Sequence, residues 1–446
     1  MHYFVYPNGK HSHILAYNLN LLGHTYSFLD DFKTGAKLEE NLEKIIGGGT
    51  AVLLATDTCT YKSREIRAKL ISNLENLNLT WADGFEFIAE DLLKFENINL
   101  KNSIAILTYS IYENRHFGDI FDILIKNNQN IFIVNTTIEN YKKDRNFMGL
   151  KNILIPMNCL KYYNFKVLLS SVNVSYQGEC FAHQNTFAMV FSHHMTMLRS
   201  YLIAHKFCDI TKKESMDTFG TAIGCYYIAA MKSDEIYFNA LNSKAKLLKL
   251  GYPNIDKQIT NYTPKEPQKS VLVMFHHFKS YKKIIEAIDK LLNLKYEVIF
   301  RPNPHFHNQK ENIEITKFFQ GKKGFIYDDS KKLTNETLQK AICSIGDYSS
   351  TIFSFPLTTL KPCMLFYPSD IMGYDFEKEN INGKILSFAD ENLHIVSRSV
   401  DELVNNIENL NLKEWNNKIL KYRNEEIYNL GNSSQIISDL IIQKAT

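Results

Sequence analysis

The sequence predicts an α/β protein built from two Rossmann-like domains that face a central cleft. Three observations predict it. At 446 residues the chain is longer than one hydrophobic core fills well. Short runs rich in β-branched and aromatic residues alternate with helix-length segments, as in βαβ units on a parallel sheet. The alternation occurs twice, on either side of a polar stretch, residues 261–269, in which Pro264 and Pro267 mark an interdomain linker.

In the first series the strand candidates are Phe4-Val5-Tyr6, Tyr26-Ser27-Phe28-Leu29, Ala51-Val52-Leu53-Leu54, Ile104-Ala105-Ile106-Leu107 and Ile131-Phe132-Ile133-Val134. Between them, segments 63–74 and 119–126 carry apolar residues at helical spacing. From about 160 to 250 the pattern is less regular, with helices expected over 195–205 and 222–231, and the turn-rich cluster Gly251-Tyr252-Pro253-Asn254-Ile255-Asp256 ends the stretch. The first domain therefore spans 1–260. The second series opens at Ser270-Val271-Leu272-Val273-Met274-Phe275, a continuous apolar run of the kind buried on both faces of a parallel sheet. It continues with a helix over 281–292, strands over 297–300 and 324–327, a helix over 334–341, and strands over 343–345 and 363–367. This second domain spans 270–430, and a C-terminal helix occupies 431–446.

Composition narrows the function. Hydrophobic residues at 45% and charged residues at 22% are ordinary globular usage, so the whole chain is expected to fold. A net charge of +3, from 51 basic and 48 acidic residues, gives no cationic field for nucleic acid. Two basic runs, Lys322-Lys323 and Lys331-Lys332, are either solvated faces or points of contact with an anionic membrane surface. The seven cysteines are odd in number and never form CxxC, which argues against a disulfide framework or a zinc site and for a reducing cytoplasm. Residues 1–6 read as a first strand, not as a signal peptide. The most apolar stretch, 219–231, is shorter than the roughly 20 residues that span a bilayer, so membrane contact is expected to be peripheral.

In open α/β sheets ligands bind beyond the carboxyl ends of the strands. In the second series three such loops are chemically rich. His276 and His277 follow Phe275; Arg301-Pro302-Asn303-Pro304-His305-Phe306-His307 follow Phe300; Gly346-Asp347-Tyr348-Ser349-Ser350 follow Ile345. The last reads as strand, tight turn and helix start. A helix N-terminus offers free N–H groups and partial positive charge, to which two serines add donors suited to a phosphate; alternatively one serine simply caps the helix. Arg301 is able to give a phosphate two parallel hydrogen bonds, and Pro302 and Pro304 stiffen its loop. His193-His194 and His276-His277 are poor metal pairs, because adjacent side chains point apart, and no metal site is predicted.

These residues resemble the CDP-glycerol glycerophosphotransferase family, the wall teichoic acid primases and polymerases, which have the GT-B architecture. Gly346-Asp347-Tyr348-Ser349-Ser350-Thr351-Ile352-Phe353, followed by Lys361-Pro362 and the apolar run to Tyr367, is similar to the family's TDYSS-x-x-F segment and the strand after it. Gly251 to Asp256 resembles GYPRND, and His194-Met195-Thr196-Met197-Leu198-Arg199 resembles HGTPLK. Asn303 stands where the family's Arg-x-His-Pro element has its histidine, with His305 two positions on. The resemblance implies a cytidine-nucleotide donor, no cofactor beyond it, and a glycan or lipid-linked glycan acceptor. His194 would be general base; Arg301 and His305 would complete the catalytic set, and His276, His277, Asn303, Asp347, Ser349 and Ser350 would hold nucleotide and phosphate. It also implies a C-terminal helix that packs back on the first domain, and work in the cytoplasm, peripherally on the cytoplasmic face of the inner membrane. A second resemblance, to bacterial sialyltransferases and capsule Kdo transferases with their HP and Ser-Ser motifs, implies transfer of a sugar from a CMP-linked donor, with Asp30-Asp31 as a candidate base. A third reading is a nucleotide- or glycan-binding module without catalysis.

Overall fold

The computed structural model describes residues 1–48, 51–57, 61–107, 115–144, 147–172, 174–176, 179–191, 225–240, 245–275, 281–303, 308–330, 333–347, 349–367, 379–381, 384–386 and 389–446. Three parallel sheets organise it. The first holds β1 (His2–Tyr6), β2 (Thr25–Phe28), β3 (Val52–Leu54) and β4 (Trp81–Asp83) in the order β2-β1-β3-β4. The second holds β5 (Ser103–Leu107), β6 (Asn130–Asn135), β7 (Lys151–Leu154), β8 (Val167–Ser170), β9 (Phe187–Phe191), β10 (Cys225–Ala229) and β11 (Lys246–Lys249). Its order is β11-β10-β9-β8-β5-β6-β7, so it reverses direction between β5 and β8. The third holds β12 (Ser270–Met274), β13 (Glu297–Phe300), β14 (Phe325–Tyr327), β15 (Ala341–Gly346), β16 (Cys363–Phe366) and β17 (His394–Ser397). Here the order is β14-β13-β12-β15-β16-β17, with the reversal between β12 and β15. Two doubly wound parallel sheets of this kind make the α/β, GT-B-type fold expected from sequence.

The strands expected to share one N-terminal sheet divide between two. Both edges of β1 are occupied, by β2 and β3, and both edges of β5, by β6 and β8, so neither strand has an edge left for the other. The small sheet is fixed against the second one: Asn18 Nδ2 donates to the Leu154 carbonyl at 2.8 Å, and Tyr141, Leu154 and Cys159 enter its core.

The helix expected over 222–231 is a correction, because Cys225–Ala229 is the strand β10. Its side chains alternate between the two faces: Cys225 and Tyr227 enter one core cluster, and Tyr226 and Ile228 pack into the other. A run buried on both faces lacks polar positions to mark its period, and strand and buried helix then look alike in sequence. The helix expected over 195–205 lies outside the described residues.

The central strand β12 shows the same logic in the third sheet. Val271 and Val273 pack under the helices Tyr281–Asn293 and Val400–Glu408, while Leu272 and Met274 face the opposite side with Phe355. A further core joins the halves, formed by Ala230, Met231, Tyr252 and Ile255 with Ile352, Phe353, Leu357, Leu365 and Ile427. The helix Ser433–Ala445 then returns to the second sheet, burying Ile437, Ile441 and Ala445 against Ile104, Phe117 and Leu169. No helix among the described residues is long and apolar enough to cross a membrane.

Candidate active site

The reversal between β12 and β15 is where an open sheet leaves a crevice beyond its strand ends. Three chain segments meet there. Phe275 follows β12, Arg301 follows β13, and Gly346-Asp347 close β15. The register fixes their levels: Val273 pairs with Phe300 and Met274 with Gly346, and the Arg301 amide donates to the Val273 carbonyl at 2.9 Å. Arg301 and Asp347 therefore flank the end of β12, about 10 Å apart across two strand spacings.

Gly346 is needed because a Cβ there would lie 2.8 Å from the Met274 carbonyl and 3.0 Å from Ile352. That close approach turns the chain directly into the helix Thr351–Thr359. Ser350 occupies the N-cap position but its side chain makes no capping bond, so of the two readings open in the sequence capping is not the one adopted. The Ser349 hydroxyl is buried and finds no hydrogen-bond partner among the described residues. Among those residues, the amides of Ser350, Thr351 and Ile352 are likewise without an acceptor. Orphan donors at a helix start favour a negatively charged group.

The same helix contains Pro356, which has no N–H to give the Ile352 carbonyl. His394 supplies it instead. Its Nδ1 accepts from the Asp390 amide at 2.9 Å, which leaves Nε2 as the donor to the Ile352 carbonyl at 3.0 Å. His394 thereby ties the first turn of the Ser-Ser helix to β17.

The Arg301 side chain is 8% exposed, and its Nη1 lies 2.7 Å from Ser330 Oγ and 3.0 Å from Asp328 Oδ2. Burial alone would raise the Asp328 carboxyl, but the Ser330 hydroxyl and amide and the Arg301 guanidinium outweigh it and hold the group below the usual carboxylate range. Asn303 is half-buried and Asp347 is buried in the same region. His276, His277, His305 and Tyr348 lie outside the described residues, as does His194, although β9, the strand that leads to it, ends at Phe191. Asp30 and Asp31 belong to the small sheet: Asp30 accepts from the Phe32 amide at 2.9 Å, and Asp31 from Tyr6 at 2.5 Å and Asn73 at 3.1 Å.

Sequence reasoning missed Asp328, Ser330 and His394. The first two had a signal: Asp328-Asp329-Ser330 follow a recognised strand at the same sheet edge, under the same rule that singled out the other three loops. His394 had none, since its partner is a carbonyl freed by a proline 38 positions earlier in the chain.

A doubly wound pair of sheets, with an arginine and a Ser-Ser helix start at the second switch point, is the GT-B-type arrangement. The family model described as CDP-Glycerol:Poly(glycerophosphate) glycerophosphotransferase matches residues 105–443, and the chain belongs to that family. It is a transferase of the CDP-glycerol glycerophosphotransferase type. The match begins at β5 and leaves the four-stranded sheet outside it. No curated protein matches the sequence. Among solved structures, the wall teichoic acid polymerase TagF is similar with a TM-score of 0.51 at 15% identity, over 81% of this chain and 93% of that one. A TagF variant soaked with CDPG gives 0.53 at 15% identity, over 86% and 98%. A putative UDP-N-acetylglucosamine 2-epimerase from Listeria monocytogenes gives 0.50 at 11% identity, over 76% and 95%. Likenesses at such identities establish the fold and leave the donor to the site.

Proposed function

We propose that the enzyme moves glycerol phosphate, or a related alcohol phosphate, from a CDP-linked donor to a hydroxyl of a bacterial surface glycan, be it capsule, lipooligosaccharide or a teichoic-acid-like polymer. The observation that carries this reading is the Ser349-Ser350 helix start, with amides and a hydroxyl unpaired among the described residues, set across the end of β12 from Arg301. In this reading the acceptor oxygen attacks the phosphorus that bears glycerol. The bond from that phosphorus to the bridging oxygen breaks, CMP leaves with the electron pair, and His194 takes the acceptor proton. A histidine with its ordinary pKa near 6.5 is largely neutral at cytoplasmic pH and suits that task. Arg301, His305, Ser349 and Ser350 hold the phosphates and the charge that gathers on departing CMP. His276, His277, Asn303 and Asp347 complete the nucleotide site. The protein works in the cytoplasm, peripherally on the inner membrane, where a lipid-linked acceptor is presented.

The test is CMP release from CDP-glycerol, followed by chromatography, with CMP-sialic acid, CMP-Kdo and UDP-sugars in parallel. CDP-glycerol is expected to be consumed, with His194→Ala slowed by about two to four orders of magnitude. Consumption of a CMP-sugar in its place moves the assignment to sugar transfer on the same cytidine site, and turnover confined to UDP-sugars overturns the reading.

A further inference from the structure

Arg301 is held by one nitrogen. Among the described residues its side-chain hydrogen bond is made through Nη1, to Ser330 Oγ at 2.7 Å, and the same nitrogen lies 3.0 Å from Asp328 Oδ2, while Nε and Nη2 make no hydrogen bond. The guanidinium edge formed by Nε and Nη2 is the fork that grips an anion by two parallel bonds, and it is the edge left open.

The holder is itself built. The Asp328 amide donates to the Phe300 carbonyl at 3.0 Å, which fixes Asp328 one strand over from Arg301. Its Oδ1 accepts from the Ser330 amide at 3.0 Å and the Ser330 hydroxyl at 2.5 Å. The Ser330 hydroxyl thus gives its proton to Asp328 and offers its lone pair to Arg301, a relay whose direction is set because a guanidinium only donates. Asp328 Oδ2 meets the guanidinium as an ion pair rather than through an aligned hydrogen bond. An arginine needed only for stability would be expected to spend both edges on the protein; among the described residues this one spends a single nitrogen, at the carboxyl edge of the sheet.

We infer that Asp328 and Ser330 are positioning residues for the donor site, holding Arg301 by Nη1 so that its Nε–Nη2 edge is presented to the phosphates of the CDP-linked donor. The inference rests on the proposed donor reading. Neither residue touches the donor; both act through Arg301, and their loss should weaken donor binding only while Arg301 is present.

That condition gives the experiment, a double-mutant cycle on full-length protein with CDP as the probe, read by calorimetry. Asp328→Asn keeps the shape and the Ser330 contacts and removes the charge; it is expected to weaken CDP about tenfold, the scale of one charge-assisted hydrogen bond. Ser330→Ala should weaken it several-fold. Arg301→Ala should weaken it more, and the double variant Asp328→Asn with Arg301→Ala should bind no worse than Arg301→Ala alone. Additive losses in the double variant, or unchanged CDP binding in a folded Asp328→Asn, overturn the positioning role. Failure of the wild type to bind CDP overturns the donor reading instead. Melting each variant without ligand separates general instability from the binding effect, and a loss of CDP affinity that tracks the fall in Tm also counts against the inference.

Discussion

Lys361, in the Lys361-Pro362 pair that leads into β16, is buried, and its Nζ donates to the carbonyls of Leu338 and Gln339 at 2.9 Å and of Ala341 at 2.7 Å. Those carbonyls belong to the end of the helix Asn335–Lys340 and the start of β15, so one ammonium closes the junction that leads to the phosphate loop. Burial pushes its pKa from 10.5 down to about 8, and the three carbonyls keep the charge tolerable at neutral pH. Replacing it with methionine leaves those oxygens unpaired, and Lys361→Met is expected to lose about 1.5–3 kcal/mol in urea unfolding at pH 7. The pH dependence has a definite sign. Between pH 8 and 10.5 the unfolded chain keeps the proton that the folded chain has released, so this group adds stability as pH rises through that window. Wild type should therefore gain on Lys361→Met from pH 8 to 10; unfolding curves that stay parallel across that range would show that the amine does not titrate there.

The segment Gly251 to Asp256 acts at the scale of elements. Gly251 has a φ of +89°, and a Cβ there would lie 2.3 Å from the Tyr428 carbonyl and 2.9 Å from Ser433 Cβ. Pro253 opens the helix Pro253–Asn261, and within its first turn Asp256 accepts from the amides of Gly431 and Ser433 at 2.8 and 3.0 Å and from the Ser433 hydroxyl. A buried carboxylate thus receives the N-terminus of the returning helix Ser433–Ala445, where its charge suits the helix dipole. Asp256→Ala is expected to cost about 2–3 kcal/mol and Gly251→Ala at least as much. In both, amide exchange over 433–445 should accelerate before that of β12; uniform exchange loss would mean that the helix is not separately held by this clasp. The segment was legible in sequence as a turn and a family motif, yet its partner was not, because Asp256 reaches a helix some 175 residues away. The pattern is general in this chain. Strands with branched and aromatic runs, such as β1, β5, β6, β12 and β13, were legible individually, and so were Arg301 and the Ser349-Ser350 turn. Partner choice was not, which is why β3 and β5 were read into one sheet and Cys225–Ala229 as a helix, and why the Asp328 holder and the His394 bond to a proline-freed carbonyl stayed hidden.

At the scale of the whole molecule the chain crosses between its halves twice, and the two crossings are unequal. Residues 262–269 run largely exposed, with Lys265 and Glu266 open to solvent and no regular structure. The return crossing is stitched on both sides: the Lys232 amide donates to the Glu426 carbonyl at 2.9 Å, the Tyr428 amide to the Ala230 carbonyl at 3.1 Å, and Met231 bridges Ile427. Beyond it, Ile437, Ile441 and Ala445 are fully buried in the core of the second sheet. Burying an isoleucine side chain contributes about 1.5–3 kcal/mol, so Ile437 and Ile441, together with the core that joins the halves, should hold them without the linker. A protease site placed between Lys265 and Glu266 and cut to completion should give a nicked protein that elutes as one species without denaturant and still binds CDP. The same cut in a chain that lacks residues 433–445 leaves the halves joined only by the core of Tyr252 and Ile255 with Ile352 and Phe353 and should let them part at a lower denaturant concentration, since the core around Ile104 and Phe117 then opens. Separation of the fragments in the nicked full-length protein would show that the exposed linker, and not the returning helix, is what joins the two sheets.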